Sequence, residues 1–237
     1  MTKGHSMKHW NLLVLPAALF ACTESVESTD VRTSGVYPEF EVVADGSGSS
    51  RASARLKVGG DDSNTFLSLE SGDRLEVTVG EETRTLTAAD NYRYSATFQI
   101  DAADTEFEFA FIRTENDETA PRSVVALPAP FQLEMGTAEA SRAADDVAFS
   151  WDPPGSGELR WNVEGDCVWR ESDVTPDDGS HDIAREDMRA QGNDEAESCP
   201  VQLTVERVRS GSVDPAFTEG GAAVAYQRRI QSFTSTP

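Results

Sequence analysis

The chain has 237 residues, with 20 lysines and arginines against 42 aspartates and glutamates, which gives a formal net charge of −22. So acidic a chain is repelled by phosphate backbones, and nucleic acid is therefore excluded as a partner. The length fits one large β-domain or two domains of ordinary size, and the changes in composition along the chain favour two.

The first 21 residues have the pattern of a secretory signal peptide. Lys8 precedes a short apolar run over residues 10–21, and a small residue ends the run. This run is too short for a helix that crosses a bilayer, which needs about 20 residues. The sequence therefore predicts export and removal of residues 1–21.

Residues 19–22, Leu-Phe-Ala-Cys, resemble the lipobox of bacterial lipoproteins. The resemblance implies that Cys22 is acylated, becomes the first mature residue and anchors the protein to a membrane by its lipid. Residue 23 is threonine, not the aspartate that retains many such proteins in the inner membrane. The resemblance thus further implies the outer membrane, with the protein facing either the periplasm or the cell exterior.

Cysteine usage agrees with export. Without residues 1–21 the chain keeps 18 cations against 42 acids, a net charge of −24, and two cysteines besides Cys22. In an oxidising envelope this even remainder predicts a disulfide between Cys167 and Cys199. Metal binding by two isolated thiols without CxxC spacing is the weaker alternative.

Residues 22–35 are polar and acidic, which predicts a flexible tether with no helix. Fully extended, such a segment reaches about 40 Å from the lipid surface.

Apolar residues alternate with polar ones over residues 36–127, and turns rich in Gly, Asp and Asn interrupt the pattern every eight to twelve residues or so. This pattern predicts an antiparallel β-sandwich with an immunoglobulin-like fold and no amphipathic helix. Residues 75–86 should form a tight hairpin in which Gly80 supplies the positive φ.

A Pro-rich linker over residues 128–130 marks the predicted boundary, because two prolines remove ladder donors and stiffen the connection. Residues 131–237 then form a second antiparallel β-sandwich. Trp151 and Trp161 fall at its inward positions.

A strand that ends at Trp151, a Pro-Pro turn and a strand that carries Trp161 resemble strands B and C of a fibronectin type III or related immunoglobulin-like module. Residues 201–208 and 223–233 resemble its strands F and G. The resemblance implies that the end of strand C, followed by Cys167, lies beside the start of strand F, which Cys199 opens. Their Cα atoms should then be about 5.5 Å apart, within disulfide reach.

Two features depart from that family. Fibronectin type III modules generally lack a disulfide, and the segment over residues 168–198 is longer and more acidic than their usual connection. Within it, residues 182–189 fit either a short strand or a helical turn, and their periodicity does not decide between them.

Few residues of the mature chain suggest chemistry. His181 is the single mature histidine and is expected in a solvated loop, so no Ser-His-Asp triad or histidine metal site is predicted, and no cofactor. Trp169 fits two interpretations, partial burial against the disulfide or an exposed contact residue. Three loops offer oxygen ligands for calcium, although ordinary turn formation explains them as well: Asp61, Asp62 and Asn64; Asn116, Asp117 and Glu118; Asp177, Asp178 and Asp182.

These observations favour a non-enzymatic, membrane-anchored envelope lipoprotein that presents β-sandwich domains for protein or glycan contact or serves as a structural spacer. A calcium-stabilised adhesin-like module is the alternative, and an envelope hydrolase is a distant third.

Overall fold

A computed structural model describes residues 24–114, 118–191 and 197–237. The strands that precede the predicted linker are β1 (Glu24–Glu27), β2 (Val36–Ala44), β3 (Ser50–Val58), β4 (Thr65–Ser68), β5 (Arg74–Val79), β6 (Glu82–Thr85), β7 (Thr87–Ala88), β8 (Arg93–Phe98), β9 (Glu106–Ile112) and β10 (Ala120–Ala126). Those that follow it are β11 (Gln132–Met135), β12 (Glu139–Ser141), β13 (Val147–Asp152), β14 (Glu158–Gly165), β15 (Val168–Pro176), β16 (Ser180–Ile183), β17 (Cys199–Ser210) and β18 (Ala222–Thr236). Short 3-10 helices cover Ser28–Asp30, Thr33–Gly35 and Arg185–Asp187.

Alternation of apolar side chains explains why these segments are strands. In β9, Phe107, Phe109 and Phe111 are completely buried, while the residues between them are partly exposed. The predicted hairpin is confirmed, since β5 and β6 are joined by a two-residue turn with Gly80 at φ 59°. The predicted all-β fold class, with antiparallel sandwiches, is confirmed as well.

The two halves have the same strand topology. In the first half β3 pairs with β2 and β8 in one sheet, and the order in the other sheet is β10-β9-β5-β6. In the second half β13 pairs with β11 and β16, and the other sheet runs β18-β17-β14-β15. Each half therefore consists of an A-B-E sheet and a C′-C-F-G sheet, and the order predicted for strands B, C, F and G of the second half is confirmed.

The segment at 182–189, whose conformation the sequence left open, is part strand and part helix. Its first residues belong to β16, which pairs with β13 as strand E. The 3-10 helix Arg185–Asp187 follows. Strand β15, which the sequence analysis did not predict, accounts for much of the length between the cysteines and pairs with β14.

One strand belongs to both halves. The first part of β18 pairs in parallel with β2, from Ala222 beside Glu39 to Gln227 beside Ala44. The same strand pairs with β17 along almost its whole length. The A-B-E sheet of the first half and the C′-C-F-G sheet of the second are therefore one continuous sheet.

The loop between β17 and β18 lies against the first half. Its Phe217 is buried with ring centroids 6.2 Å from Phe40 and 6.3 Å from Phe111, and its Ser212 pairs with Val124 of β10. Strands β2 and β10 belong to opposite sheets of the first sandwich. The hairpin that contains β17, the loop and β18, which we call the F–G hairpin, thus closes the side of the first sandwich between those two strands.

Two clusters of buried apolar residues correspond to the two halves. The first cluster contains residues of the segment 36–127 together with Phe217, Ala223 and Ala225 of the F–G hairpin. The second contains residues from Phe131 to Phe233. The domain boundary at 128–130 stays a prediction, and the core of the first half is completed by side chains from beyond that boundary.

The predicted flexible tether over 22–35 is wrong for its described part, residues 24–35. Strand β1 pairs in parallel with β4, and the side chains of Ser28 and Thr33 are buried. The physical reason is Arg113, whose buried guanidinium donates to the carbonyl oxygen of Ser28 at 2.7 Å and to Oγ1 of Thr33 at 3.1 Å. Its Nε lies 2.8 Å from the buried carboxylate of Asp73. A polar segment is thus held to the fold by a buried ion pair.

Gly211 provides a test of the docking of the F–G hairpin. A Cβ atom at this position would overlap the carbonyl oxygen of Val124, because the two backbones approach closely there. We expect Gly211→Ala to lower the free energy of unfolding by about 1–3 kcal/mol, the usual cost of overpacking. Gly35→Ala is the matched control, since its Cβ would lie 3.8 Å from Val31 Cγ1, at ordinary van der Waals distance. Urea titration measures both, and equal stability of the two variants would show that the hairpin does not dock as described.

Candidate functional site

A buried polar cluster lies where the two halves meet. The Asp177 carboxylate accepts hydrogen bonds from Arg207 Nε at 2.6 Å, Arg207 Nη2 at 2.8 Å and Trp151 Nε1 at 2.7 Å. All three side chains are nearly inaccessible to solvent. Bidentate pairing of a guanidinium with a carboxylate is the geometry that best compensates the burial of both charges. The expectation that Asp177 is a solvated turn residue or a calcium ligand is therefore wrong.

Arg207 and a second buried arginine, Arg229, hold the predicted linker. Arg207 Nη1 donates to the carbonyl oxygens of Ala129 at 3.1 Å and Pro130 at 3.3 Å, and Arg229 Nε donates to that of Phe131 at 2.8 Å. The two guanidinium carbons lie 5.0 and 5.1 Å from the centroid of the Phe131 ring. Such cation–π contacts and carbonyl bonds give the linker a defined conformation.

The buried residues Asp177, Arg207, Gln227 and Arg229 form a layer, which we call the polar layer, that also contacts the first half. Arg229 Nη1 donates to the carbonyl oxygen of Ala44 at 3.3 Å, and Gln227 Nε2 donates to that of Asp101 at 2.8 Å. Gln227 and Arg229 occupy inward positions of β18, between Ala225 in the first core and Phe233 in the second. The shared strand therefore changes from one core to the other through a layer of polar side chains.

The protonation of Asp177 follows from these contacts. Burial alone would raise the pKa of its carboxyl group, but the hydrogen bonds from Arg207 and Trp151 and the charge of Arg207 outweigh burial and hold the pKa below its ordinary value. For Arg229, burial lowers the pKa of the guanidinium, and Asp101 and Asp45 oppose that shift. At neutral pH the Asp177 carboxylate is therefore ionised and paired with the Arg207 guanidinium.

The tip of the F–G hairpin makes a second polar contact with the first half. Asp214 Oδ2 accepts a hydrogen bond from the backbone nitrogen of Arg122 at 2.8 Å, and the backbone nitrogen of Asp214 donates to Oγ of Ser123 at 2.9 Å. Thr218 Oγ1 donates to the carbonyl oxygen of Ser34 at 2.8 Å. The F–G hairpin is thus bound to the first half along its length, from the polar layer to its tip, which lies beside residues 33–36.

The disulfide lies at the opposite end of the molecule and is confirmed. Cys167 and Cys199 are bonded, with Cα atoms 5.8 Å apart against the expected 5.5 Å or so. The crosslink has a sequence separation of 32 and stabilises by about 3–4 kcal/mol in the chain-entropy estimate. Arg142 Nη1 lies 3.2 Å from Sγ of Cys167 and its Nη2 donates to the carbonyl oxygen of Glu197, so this arginine covers the bond.

Trp169 is exposed, with 52% of its surface accessible. Its backbone nitrogen donates to the carbonyl oxygen of Arg189 at 2.9 Å, which fixes the main chain there. Of the two interpretations open from the sequence, the exposed one is correct. A role for Trp169 in contact with a partner stays a prediction.

The expectation that His181 is a solvated loop residue is wrong. His181 lies on β16, half-buried, with its Nδ1 3.0 Å from Oγ1 of Thr175. Its ring centroid is 5.5 Å from that of Phe149 and 5.6 Å from that of Trp161. The histidine therefore packs at the border of the second core, and the predicted core positions of Trp151 and Trp161 are confirmed by exposures of 3% and 4%.

The acidic loops do not assemble a cation site within the described ranges, where no three His, Cys, Asp or Glu side chains converge on one point. Asp61 lies 3.5 Å from the ammonium group of Lys57, and Glu118 accepts a hydrogen bond from the backbone nitrogen of Thr33. Asn116 and Asp117 lie outside the described residues.

The predicted lipidation site, Cys22, lies outside the described residues too. Among the residues that are described, no helix has the length and apolar character needed to cross a membrane.

No protein-family model matches the chain, and no curated protein sequence matches it significantly. Among solved structures, a segment of two fibronectin type III domains from chicken tenascin aligns with 84% of this chain and 99% of its own length, at 10% sequence identity and a TM-score of 0.26. A likeness at that TM-score shows neither the fold nor the function of this chain. The strand pairings and cores above define an all-β protein of two immunoglobulin-like sandwiches coupled by one hairpin.

Arg207 tests the importance of the polar layer. Arg207→Met leaves the Asp177 carboxylate buried without its charge partner, and we expect it to cost about 3–5 kcal/mol of unfolding free energy. Arg209→Met is the matched control on the same strand, because Arg209 is 40% exposed and pairs with Asp104 at the surface, an interaction worth about 1 kcal/mol at most. Chemical denaturation of both variants distinguishes these costs. A loss for Arg207→Met no larger than that for Arg209→Met would contradict a structural role for the buried pair.

Proposed function

We propose that this chain is a non-enzymatic envelope lipoprotein, anchored in the outer membrane through acylated Cys22. In this proposal its two coupled sandwiches form a rigid spacer that presents a surface for protein or glycan contact. The observation that carries the proposal is the continuity of β18, which makes the two sandwiches one mechanical unit.

The positions of the two ends support a spacer. Strand β1 begins at Glu24 and pairs with β4, which pairs with β3 at Lys57. That end of β3 lies beside Val36, the first residue of β2. Glu24 is therefore at the end of the first half where β2 begins. The disulfide lies at the far end of β18, where Cys199 is opposite Ser235. Between Ala222 and Ser235 the extended strand spans about 43 Å. An anchor at Cys22 and the exposed Trp169 would thus be at opposite ends of the molecule.

The bound N-terminal segment alters the geometry expected of the anchor. Since residues 24–35 belong to the fold, Cys22 is separated from the folded body by one residue, Thr23. This length of chain spans about 7 Å, much less than the reach of about 40 Å expected for a flexible tether. The proposal therefore has the first sandwich held close to the lipid surface and the disulfide end directed away from it.

The interactions of the buried charges support a structural role over a catalytic one. Asp73 is paired with Arg113 and Asp177 with Arg207, and the carboxylate of each pair has its pKa held below the ordinary value by its hydrogen bonds and paired cation, against the effect of burial. A general acid or base at neutral pH is most efficient with a pKa near 7. These acids are charged at neutral pH, and their ion pairs hold segments of the chain together.

Metabolic labelling with a clickable fatty acid in a Gram-negative host, followed by membrane fractionation, tests the anchor. We expect the full chain to carry label and to sediment with the outer membrane, and Cys22→Ser to lose both properties. Thr23→Asp is the matched control, since it keeps the acylated cysteine and should move the labelled protein to the inner membrane. An unlabelled wild-type chain, or a Cys22→Ser variant labelled as strongly as the wild type, would refute the lipoprotein assignment.

A further inference from the structure

Cations are concentrated on the solvent face of one part of the shared sheet, formed by strands β8, β3, β2 and β18. In the antiparallel pairs Arg51–Thr97, Arg51–Val43 and Glu39–Arg55 the paired residues point to the same side, away from the core. On these four strands the face carries five cations, Arg51, Arg55, Lys57, Arg93 and Arg228, against two acids, Glu39 and Glu41. Glu39 pairs with Arg55 and Lys57, and Glu206 of the neighbouring strand β17 pairs with Arg228.

That excess is local and unusual for this chain. A face with three more cations than acids stands on a mature protein with 18 cations and 42 acids. Charges on one face within a Debye length of about 8–10 Å act together on a ligand, whereas more distant surface acids are largely screened. The arginines of these strands therefore offer cationic donors to an anionic group, and the acids that lie within the same distance act on that ligand as well.

A concavity of about 670 Å³ lies on this face at the junction of the halves. Arg51 and Arg93 line it from the first half and Arg228 from the second. Ser49, Asn91 and Thr97 contribute hydroxyl and amide groups to the same lining. The coupling of the halves by β18 fixes the positions of these three arginines relative to one another.

The guanidinium groups keep donors available for a ligand. Arg51 Nη2 donates to Oγ of Ser95 at 2.9 Å, and Arg93 Nη1 has long contacts of 3.4 Å with Glu41 and 3.3 Å with Ser53. Arg228 uses Nε for Glu206. Each guanidinium has five N–H donors, so these contacts occupy a minority of them. Arginine pairs bidentately with carboxylates, which makes a carboxylate the fitting anion.

Acidic side chains in the same concavity restrict the class of ligand further. Glu41, Asp45 and Asp90 lie among the arginines and are hydrogen-bond acceptors. A polymer with a charge on every unit and no donors would be repelled by them, whereas sugar hydroxyls can donate to them. We propose that this concavity binds an acidic oligosaccharide, its carboxylates on the arginines and its hydroxyls on the carboxylates and on Ser49, Asn91 and Thr97.

This inference rests on the proposed function for its choice of a glycan partner, but the binding surface does not require the lipid anchor. A fluorescein-labelled tetragalacturonate is the probe, and fluorescence anisotropy with the purified protein at 20 and 150 mM NaCl is the measurement. Labelled maltotetraose has similar hydroxyls and no carboxylate, and serves as the control ligand.

We expect the tetragalacturonate to bind and maltotetraose to bind at least tenfold more weakly. Arg51→Gln and Arg228→Gln should each weaken the binding of the acidic sugar about tenfold, and the higher salt concentration should weaken it in the wild type. Arg122→Gln is the matched variant, because it removes one exposed arginine of β10, on the other sheet of the first half. It should change the affinity less than twofold.

Three results would overturn the inference: no tetragalacturonate binding at millimolar concentration, equal affinity for maltotetraose, or an equal loss of affinity in Arg122→Gln and Arg51→Gln. Thermal melts of the variants verify that each is folded. A negative result here would leave the acylation result at Cys22 unaffected, so the failure of this inference and the failure of the proposed anchor are distinguishable.

Discussion

Strand β18 is shared by two sandwiches, and the rest of the structure depends on this constraint. The strand completes the sheet of the second half and then extends along β2 of the first half. Backbone hydrogen bonds on both of its edges hold the halves in one register. A change in the angle between the halves would have to break this ladder, pull Phe217 from the first core and expose the polar layer.

The polar layer shows how such a junction can be built from charged residues. Burial of a guanidinium or a carboxylate is costly unless the charge is paired and its hydrogen bonds are satisfied. Arg207 meets that condition through Asp177 and the carbonyl groups of the linker. Arg229 does so largely through carbonyl oxygens of both halves. These bonds require one arrangement of the linker, the hairpin and the first sandwich, so the charges contribute specificity more than net stability.

The sequence allowed prediction of the local structure and of one long-range contact. Period-two alternation placed most of the strands, and the resemblance of Trp151, Trp161 and the last two strands to a known module brought Cys167 and Cys199 together. A signal for the polar layer was also present, because the alternation of Val201, Leu203 and Val205 puts Arg207 at an inward position. An arginine at an inward position predicts a buried partner, but the sequence does not show which of the 42 acids is that partner.

Other features could not be predicted because they depend on contacts between distant segments. The ordered conformation of residues 24–35 depends on Arg113, about 80 residues later in the chain. The need for glycine at position 211 depends on the close approach of the Val124 backbone. Alternation describes one strand and its two faces, and contains no information on how two sandwiches meet. The acidic composition of residues 22–35 suggested solvation for the same reason, since the burial of Ser28 and Thr33 depends on an ion pair outside the segment.

Distance measurement between the halves tests the coupling most directly. In a Cys22→Ser background, cysteines for spin labels are introduced in place of Thr83 on β6 and Ser172 on β15, both of which are exposed. Pulsed electron–electron double resonance then measures the distance between the two sandwiches. A shared strand and a docked hairpin predict one narrow distance distribution with a width of a few ångström, set by the labels. A broad distribution, or two separate distances, would contradict the single rigid unit on which the account depends.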